Sequence, residues 1–138
     1  MAPAKALEIL WIVLFRFRLW PRLWAIALIA VNVGALAFLD TIYGWMALVS
    51  ALIGILVMIV IYFRLGFVRL LGIGHVLWLP MLAWFATNLP DSGQTPWLHA
   101  WVLVLIVFNG LSLVIDTSDV IRYLRGDRAP HYTWQRSA

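Results

Sequence analysis

The chain has 138 residues, of which 64% are apolar and 12% are charged, whereas soluble domains average about 45–50% and about 25%. A soluble fold of this length could not bury so much apolar surface, so the composition excludes a soluble domain and predicts an integral membrane protein. The net charge of +4 comes from basic residues that flank apolar runs, so we expect anionic lipid headgroups, and not nucleic acid, as the partner. There are no cysteines, which excludes disulfides and thiolate metal sites.

Residues 1–22 form an N-terminal segment ahead of the first long apolar run. The apolar part of this segment is too short, and too basic at its end, to cross a bilayer alone. The preferred interpretation is an amphipathic helix in the cytoplasmic interface, with Glu8, Arg16 and Arg18 reaching water. The alternative, one long tilted first helix, is disfavoured because Pro21 interrupts the apolar run where a span should begin.

Four apolar runs predict an all-α protein with four transmembrane helices in an antiparallel up-down bundle over residues 23–126. Pro80 near the middle of the third run is expected to kink that helix. Gly126 is expected to cap a cytoplasmic helical extension of the fourth. The predicted spans are residues 23–39, 42–63, 70–89 and 97–118, and residues 127–138 are predicted to form a cytoplasmic tail.

The distribution of charge predicts the orientation of the bundle. All ten Lys and Arg residues fall on one side of the four-span plot, while the two connections on the other side carry only Asp40 and Asp91. Positive residues are retained in the cytoplasm, so both termini are expected there, in a bacterial inner membrane. The arginines expected to contact lipid headgroups are Arg16, Arg18, Arg22, Arg64, Arg69, Arg122 and Arg125.

Two asparagines lie near the middle of predicted spans, Asn32 in the first and Asn109 in the fourth. Burying an amide in hydrocarbon is costly unless it finds a partner. The preferred interpretation is a hydrogen bond between helices that stabilises the packing by about 1 kcal/mol. The alternative is a polar mid-membrane site for a small solute or ion.

The fourth span carries a polar stripe. Asn109, Ser112, Asp116, Asp119 and Tyr123 recur at spacings of three or four residues, which places them on one helix face. We expect this face to point into the bundle or towards a partner.

His75 of the third span is predicted to lie at about the depth of Asp116, so the two side chains could meet. Such a pair could pass protons or bind a cation. The preferred interpretation is instead structural. Asp116 would pair with Arg64, Arg69 or Arg122, while His75 would form a hydrogen bond to a backbone carbonyl.

The second span has a face of small residues, which lets another helix approach closely. The neighbour could be the first span, the third span or a second copy of the chain. The small residues are Ala47, Ser50, Ala51 and Gly54.

No nucleophile elbow, P-loop, dinucleotide fingerprint or metalloprotease helix is present, so we expect no enzyme activity, no metal and no cofactor. The favoured hypothesis is a non-enzymatic module: an accessory subunit, scaffold or assembly factor that works through helix packing. The alternative is a small oligomeric transporter or channel in which His75 and Asp116 couple to protons or cations. In either case we expect a homo-oligomer or a subunit of a larger membrane complex.

Overall fold

The computed structural model describes the backbone of residues 2–129 and the side chains of residues 7–129, and this part of the chain is helical with short turns. Two 3-10 helices supplement the α-helices: Gly34–Phe38 extends α2, and Arg69–His75 precedes α4. The α-helices are α1 (Ala2–Phe15), α2 (Leu19–Val33), α3 (Ile42–Leu65), α4 (Trp78–Thr87) and α5 (Pro96–Leu124).

Three helices are long and apolar enough to cross a membrane: Leu19–Phe38, Ile42–Leu65 and Pro96–Leu124. A fourth candidate is the pair formed by the 3-10 helix Arg69–His75 and α4, which are bent by 41° relative to each other. The all-helical fold predicted from the sequence is therefore confirmed, with three candidate spans, or four if the bent pair crosses as one.

The third predicted span differs from the continuous helix expected over residues 70–89. The break lies at Val76 and Leu77, upstream of Pro80, and the part before it is a 3-10 helix. Pro80 has no backbone N–H to donate to the Val76 carbonyl. That carbonyl instead accepts a bond from Leu79, at 3.2 Å. Pro80 thus lies in the first turn of α4, where a missing N–H is tolerated.

The N-terminal segment and the first candidate span are separate helices. The chain turns after Phe15 and α2 begins at Leu19, four residues earlier than predicted. The Arg22 guanidinium joins the two helices, because it donates to the carbonyls of Phe15 at 3.2 Å and Phe17 at 2.9 Å. Pro21 lies inside the first turn of α2 and does not break it.

The N-terminal end of α3 and the C-terminal end of α5 are each capped by a residue type suited to that position. The Thr41 hydroxyl accepts from the Gly44 N–H at 3.2 Å, as an N-cap residue does. Gly126 has a φ of +99°, and the N–H of the following residue donates to the Arg122 carbonyl at 3.0 Å. This is a Schellman motif, so α5 ends where the glycine predicts. The predicted tail from residue 130 onwards lies outside the described residues.

The bundle has two chemically different ends. The acidic end holds the turns that contain Asp40 and Asp91, and the basic end holds Arg64, Arg69 and Arg122. The apolar core occupies the half towards the acidic end, where α3, α4, α5 and the 3-10 helix Gly34–Phe38 meet. Its buried residues are Ala35, Ala47, Trp78, Met81, Leu82, Phe85, Leu98, Val102 and Leu105.

Candidate functional site

Asn32 and Asn109 join α2 to α5 through two reciprocal hydrogen bonds. Asn32 Nδ2 donates to Asn109 Oδ1 at 2.8 Å, and Asn109 Nδ2 donates to Asn32 Oδ1 at 3.0 Å. Asn32 also donates to the Leu28 carbonyl at 2.9 Å, and Asn109 is fully buried. The two amides therefore satisfy each other across the helix interface, as the packing interpretation expects.

We expect Asn109→Leu to lower the free energy of unfolding by about 1–2 kcal/mol, because Asn32 Oδ1 would lose its donor in an apolar interface. The double variant Asn32→Leu/Asn109→Leu should recover part of this loss, since it leaves no orphaned amide. Both can be measured by titrating the detergent-solubilised protein with sodium dodecyl sulfate. A double variant that loses the sum of the two single effects would argue against coupling between the amides.

His75 and Asp116 form the centre of the candidate site, at the junction of the 3-10 helix Arg69–His75 with α5. His75 Nδ1 lies 2.7 Å from Asp116 Oδ2, and the Ser112 hydroxyl donates to the same oxygen at 3.4 Å. Both side chains of the pair are 18% exposed. The imidazole also stacks on Trp78, with ring centroids 4.0 Å apart. The carboxylate at a ring nitrogen and the indole against the ring face thus orient the imidazole.

Gly72 allows this contact, although it is not among the residues predicted for the site. A Cβ atom at Gly72 would lie 2.9 Å from Asp116 Cβ and 3.2 Å from its Cα. Contacts that short are not sustained in folded proteins, so only glycine lets the 3-10 helix approach α5 this closely. The available signal was the Gly72-Ile73-Gly74 sequence inside an otherwise helical run.

Arg69 makes the second charged contact between the same two elements. Its guanidinium lies 2.7 Å from Asp119 and 3.6 Å from Asp127. The Arg69 side chain is only 7% exposed, although the sequence placed it among the arginines expected to contact lipid headgroups. Asp119 lies on the inward face of α5 and pairs with the guanidinium there. Asp116 accepts from His75, and not from an arginine as the preferred interpretation expected.

The polar stripe of α5 therefore points into the bundle. Asn109 and Ser112 are buried, and the side chains of Asp116 and Asp119 are 18% and 15% exposed. Asn109 contacts α2, and Asp116 and Asp119 contact the 3-10 helix Arg69–His75, so this part of the face predicted from the spacing is internal.

The other arginines lie at the basic end. Arg22 donates to two carbonyls at and just after the end of α1, and Arg16 lies over the Trp11 ring at 4.8 Å. Arg122 donates twice to Asp127, at 2.7 and 3.0 Å. Contacts between these arginines and lipid headgroups stay a prediction. The remaining exposed members of the predicted set are Arg18, Arg64 and Arg125.

The hydrogen bonds from Arg122 hold the pKa of the Asp127 carboxyl below its usual range, and the Arg69 guanidinium adds a smaller effect in the same direction. Asp127 lies just after the Gly126 cap of α5, beyond the candidate span. Because the folded-state pKa is lowered, the contact stabilises the end of α5 above the ordinary Asp pKa. That stabilisation is lost as the pH falls through the lowered pKa.

A cavity of about 810 Å³ lies beside the His75–Asp116 pair, between α2, α5 and the 3-10 helix Arg69–His75. Its walls are mainly apolar, and Trp24 and Phe108 stack nearly parallel in them, with centroids 5.3 Å apart. The charged or titratable side chains that line it are Arg69, His75, Asp116 and Asp119.

No three His, Asp or Glu side chains among the described residues come close enough to share a metal ion. His99 lies near the acidic end, where Nδ1 donates to the Pro90 carbonyl at 2.7 Å. Comparison with known protein families, curated proteins and solved structures finds no match to this chain.

Proposed function

We propose that the protein is a non-enzymatic membrane module, an accessory subunit, scaffold or assembly factor, that works through helix packing. The observation that supports this best is that the polar side chains of its apolar helices bond to one another. Asn32 pairs with Asn109, and α5 also holds the 3-10 helix Arg69–His75 through Asp116 and Asp119. Such contacts fix one arrangement of helices, which is what a rigid binding partner needs.

The proposed module crosses a bacterial inner membrane four times, with both termini in the cytoplasm. The clustering of exposed arginines at the basic end supports this orientation. The helix α1 would lie in the cytoplasmic interface. Its separation from α2 supports this placement, as does the contrast between buried Ile12 and exposed Leu7 and Phe15.

The test is to extract the tagged full-length protein from its native membrane with a mild amphiphile and to measure the mass of the intact assembly. We expect larger subunits to co-purify in a fixed ratio. A homo-oligomer or monomer with no other subunit, from a membrane in which the protein is abundant, would overturn the accessory role.

A transporter is the second candidate, and the cavity beside the His75–Asp116 pair favours it. A proton- or cation-binding pair in a space of about 810 Å³ is the kind of site from which coupled transport could proceed. On this candidate the transport path would form in an oligomer.

Asp116→Asn separates the two candidates. On the module proposal we expect no flux from wild type or variant in proteoliposomes, and a loss of stability or of subunit retention, because the His75 contact is weakened. On the transport candidate the variant would abolish a pH-dependent flux of protons or hydrophobic cations while the protein stays folded. Asp40→Asn is the matched control, since it makes the same change at an exposed position of the acidic end.

A further inference from the structure

We propose that the cavity between α2 and α5 is a binding site for an amphipathic cation, namely a protonated amine attached to an apolar body. The ammonium group would lie at His75 and Asp116, and the apolar part against Trp24 and Phe108. Binding here does not require transport, so the site goes beyond the proposed module; for the transport candidate it would name the class of substrate.

The polar side of the cavity offers hydrogen-bond acceptors. A carboxylate can only accept hydrogen bonds, so His75 Nδ1 carries the proton in its contact with Asp116 Oδ2. In the neutral imidazole, Nε2 is then an acceptor as well. Neither His75 Nε2 nor Asp116 Oδ1 has a hydrogen-bond partner among residues 7–129, and neither atom is fully buried. Each of these atoms can accept from an ammonium group, which has three donors and no acceptor, and the charged carboxylate is the stronger of the two.

The charges that line the cavity favour a cation in the same place. Arg69 and Asp119 lie 2.7 Å apart and largely offset each other. Among the described residues, Asp116 accepts hydrogen bonds only from a hydroxyl and an imidazole, so with His75 neutral the lining carries one net negative charge. No other charged side chain of the described residues lines the cavity. A phosphate or carboxylate would be repelled by two carboxylates and would find its one guanidinium already engaged.

The rest of the cavity suits an apolar body. The volume of about 810 Å³ falls in the range of pockets that enclose drug-sized ligands, roughly 300–1,000 Å³. The stacked rings of Trp24 and Phe108 form a flat wall within it. Leu23 and Ile115 line the cavity and are 46% and 49% exposed, so it opens sideways between α2 and α5. An amphipathic molecule dissolved in the bilayer could therefore reach the site laterally.

The site can be tested with the full-length protein in phosphatidylcholine nanodiscs. The probe is 1-naphthylmethylammonium, and 1-naphthylmethanol and 1-naphthoate are matched neutral and anionic probes with the same ring system. Equilibrium dialysis against empty nanodiscs separates binding to the protein from partition into lipid. We expect saturable binding of one cation per chain, at least about tenfold tighter than that of either matched probe. Equal binding of the alcohol and the ammonium would overturn the proposal, as would the absence of saturable binding.

Two pairs of variants locate the binding. Asp116→Asn should weaken cation binding at least about tenfold, while Asp40→Asn at the acidic end should not change it. Ala27→Phe should block the cavity without changing its charge, because Ala27 lines it. Ala30→Phe is the matched control: Ala30 is exposed and does not line the cavity, so this variant should bind the cation as wild type does. Ala27→Phe also decides the matter if Asp116→Asn fails to fold. Unchanged cation binding in folded Ala27→Phe would place the probe elsewhere and overturn the proposal. If no larger subunits co-purified in the mass measurement, the module proposal would fail, but the proposal of a cation site would be unaffected.

Discussion

Asp119→Ala is expected to lower the free energy of unfolding by about 3–5 kcal/mol, the usual effect of removing one partner from a buried ion pair. The substitution would leave the Arg69 guanidinium, whose side chain is 7% exposed, without the carboxylate that lies 2.7 Å away. Asp127, at 3.6 Å, would compensate only partly, because it lies in the exposed segment after α5. We therefore expect an effect near the lower limit, measurable as a shift in the dodecyl sulfate unfolding transition.

The double variant Arg69→Met/Asp119→Leu distinguishes a charge effect from loss of packing. It removes both charges and keeps side chains of similar volume, so it should unfold within about 1 kcal/mol of wild type or be more stable. Arg122→Met is a second control, since Arg122 also pairs with a carboxylate but its side chain is 54% exposed. That variant should behave almost as wild type. If Asp119→Ala were as stable as Arg122→Met, Arg69 would have to reach solvent or Asp127 at little cost.

Local signals in the sequence predicted the continuous helices well. Apolar runs predicted helices at 42–63 and 97–118, and the structure has Ile42–Leu65 and Pro96–Leu124. Hydropathy reports how apolar a stretch is, but it does not report which backbone helix the stretch forms. The third run was therefore predicted as one kinked helix, although it is a 3-10 helix followed by α4. The break depends on the Val76 carbonyl, to which Pro80 has no N–H to donate. It also depends on packing against α3 and α5, which a single sequence does not reveal.

Helix periodicity and depth placed the residues of the site, but they did not determine the pairing within it. Asp116 and Asp119 lie on one face of α5, about 4.5 Å apart along its axis. A 3-10 helix rises about 2.0 Å per residue instead of 1.5 Å, so Arg69 lies about 3 Å further from the level of His75 than it would in an α-helix. The greater distance separates Arg69 from Asp116, which pairs with His75, and the long Arg69 side chain reaches back to the nearer carboxylate of Asp119. Helix type is thus one reason why the pairing could not be predicted from depth alone.

Gly54→Ala is expected to cost about 1–3 kcal/mol, although alanine favours helices more than glycine does. A Cβ atom at Gly54 would overlap the carbonyl oxygen of Gly74 and lie 3.3 Å from the carbonyl carbon. The obstacle is backbone, which cannot rotate away, so α3 and the 3-10 helix Arg69–His75 would have to move apart. His75 directly follows Gly74, so the displacement would also disturb its contact with Asp116 and weaken binding at the cavity.

Gly110→Ala is the matched control for Gly54→Ala, because Gly110 also lies inside a long apolar helix but has no atom within 4 Å of an added Cβ. It should be neutral or stabilising by up to about 1 kcal/mol. Dodecyl sulfate unfolding and naphthylmethylammonium binding, measured on both variants, would then move for Gly54→Ala alone. If the two variants behaved alike, α3 and the 3-10 helix could separate without loss, and the small residues of α3 would be free to serve a contact with a second copy of the chain. A loss confined to Gly54→Ala would assign the small-residue position at Gly54 to packing inside the bundle, where it lets the 3-10 helix pack closely against α3.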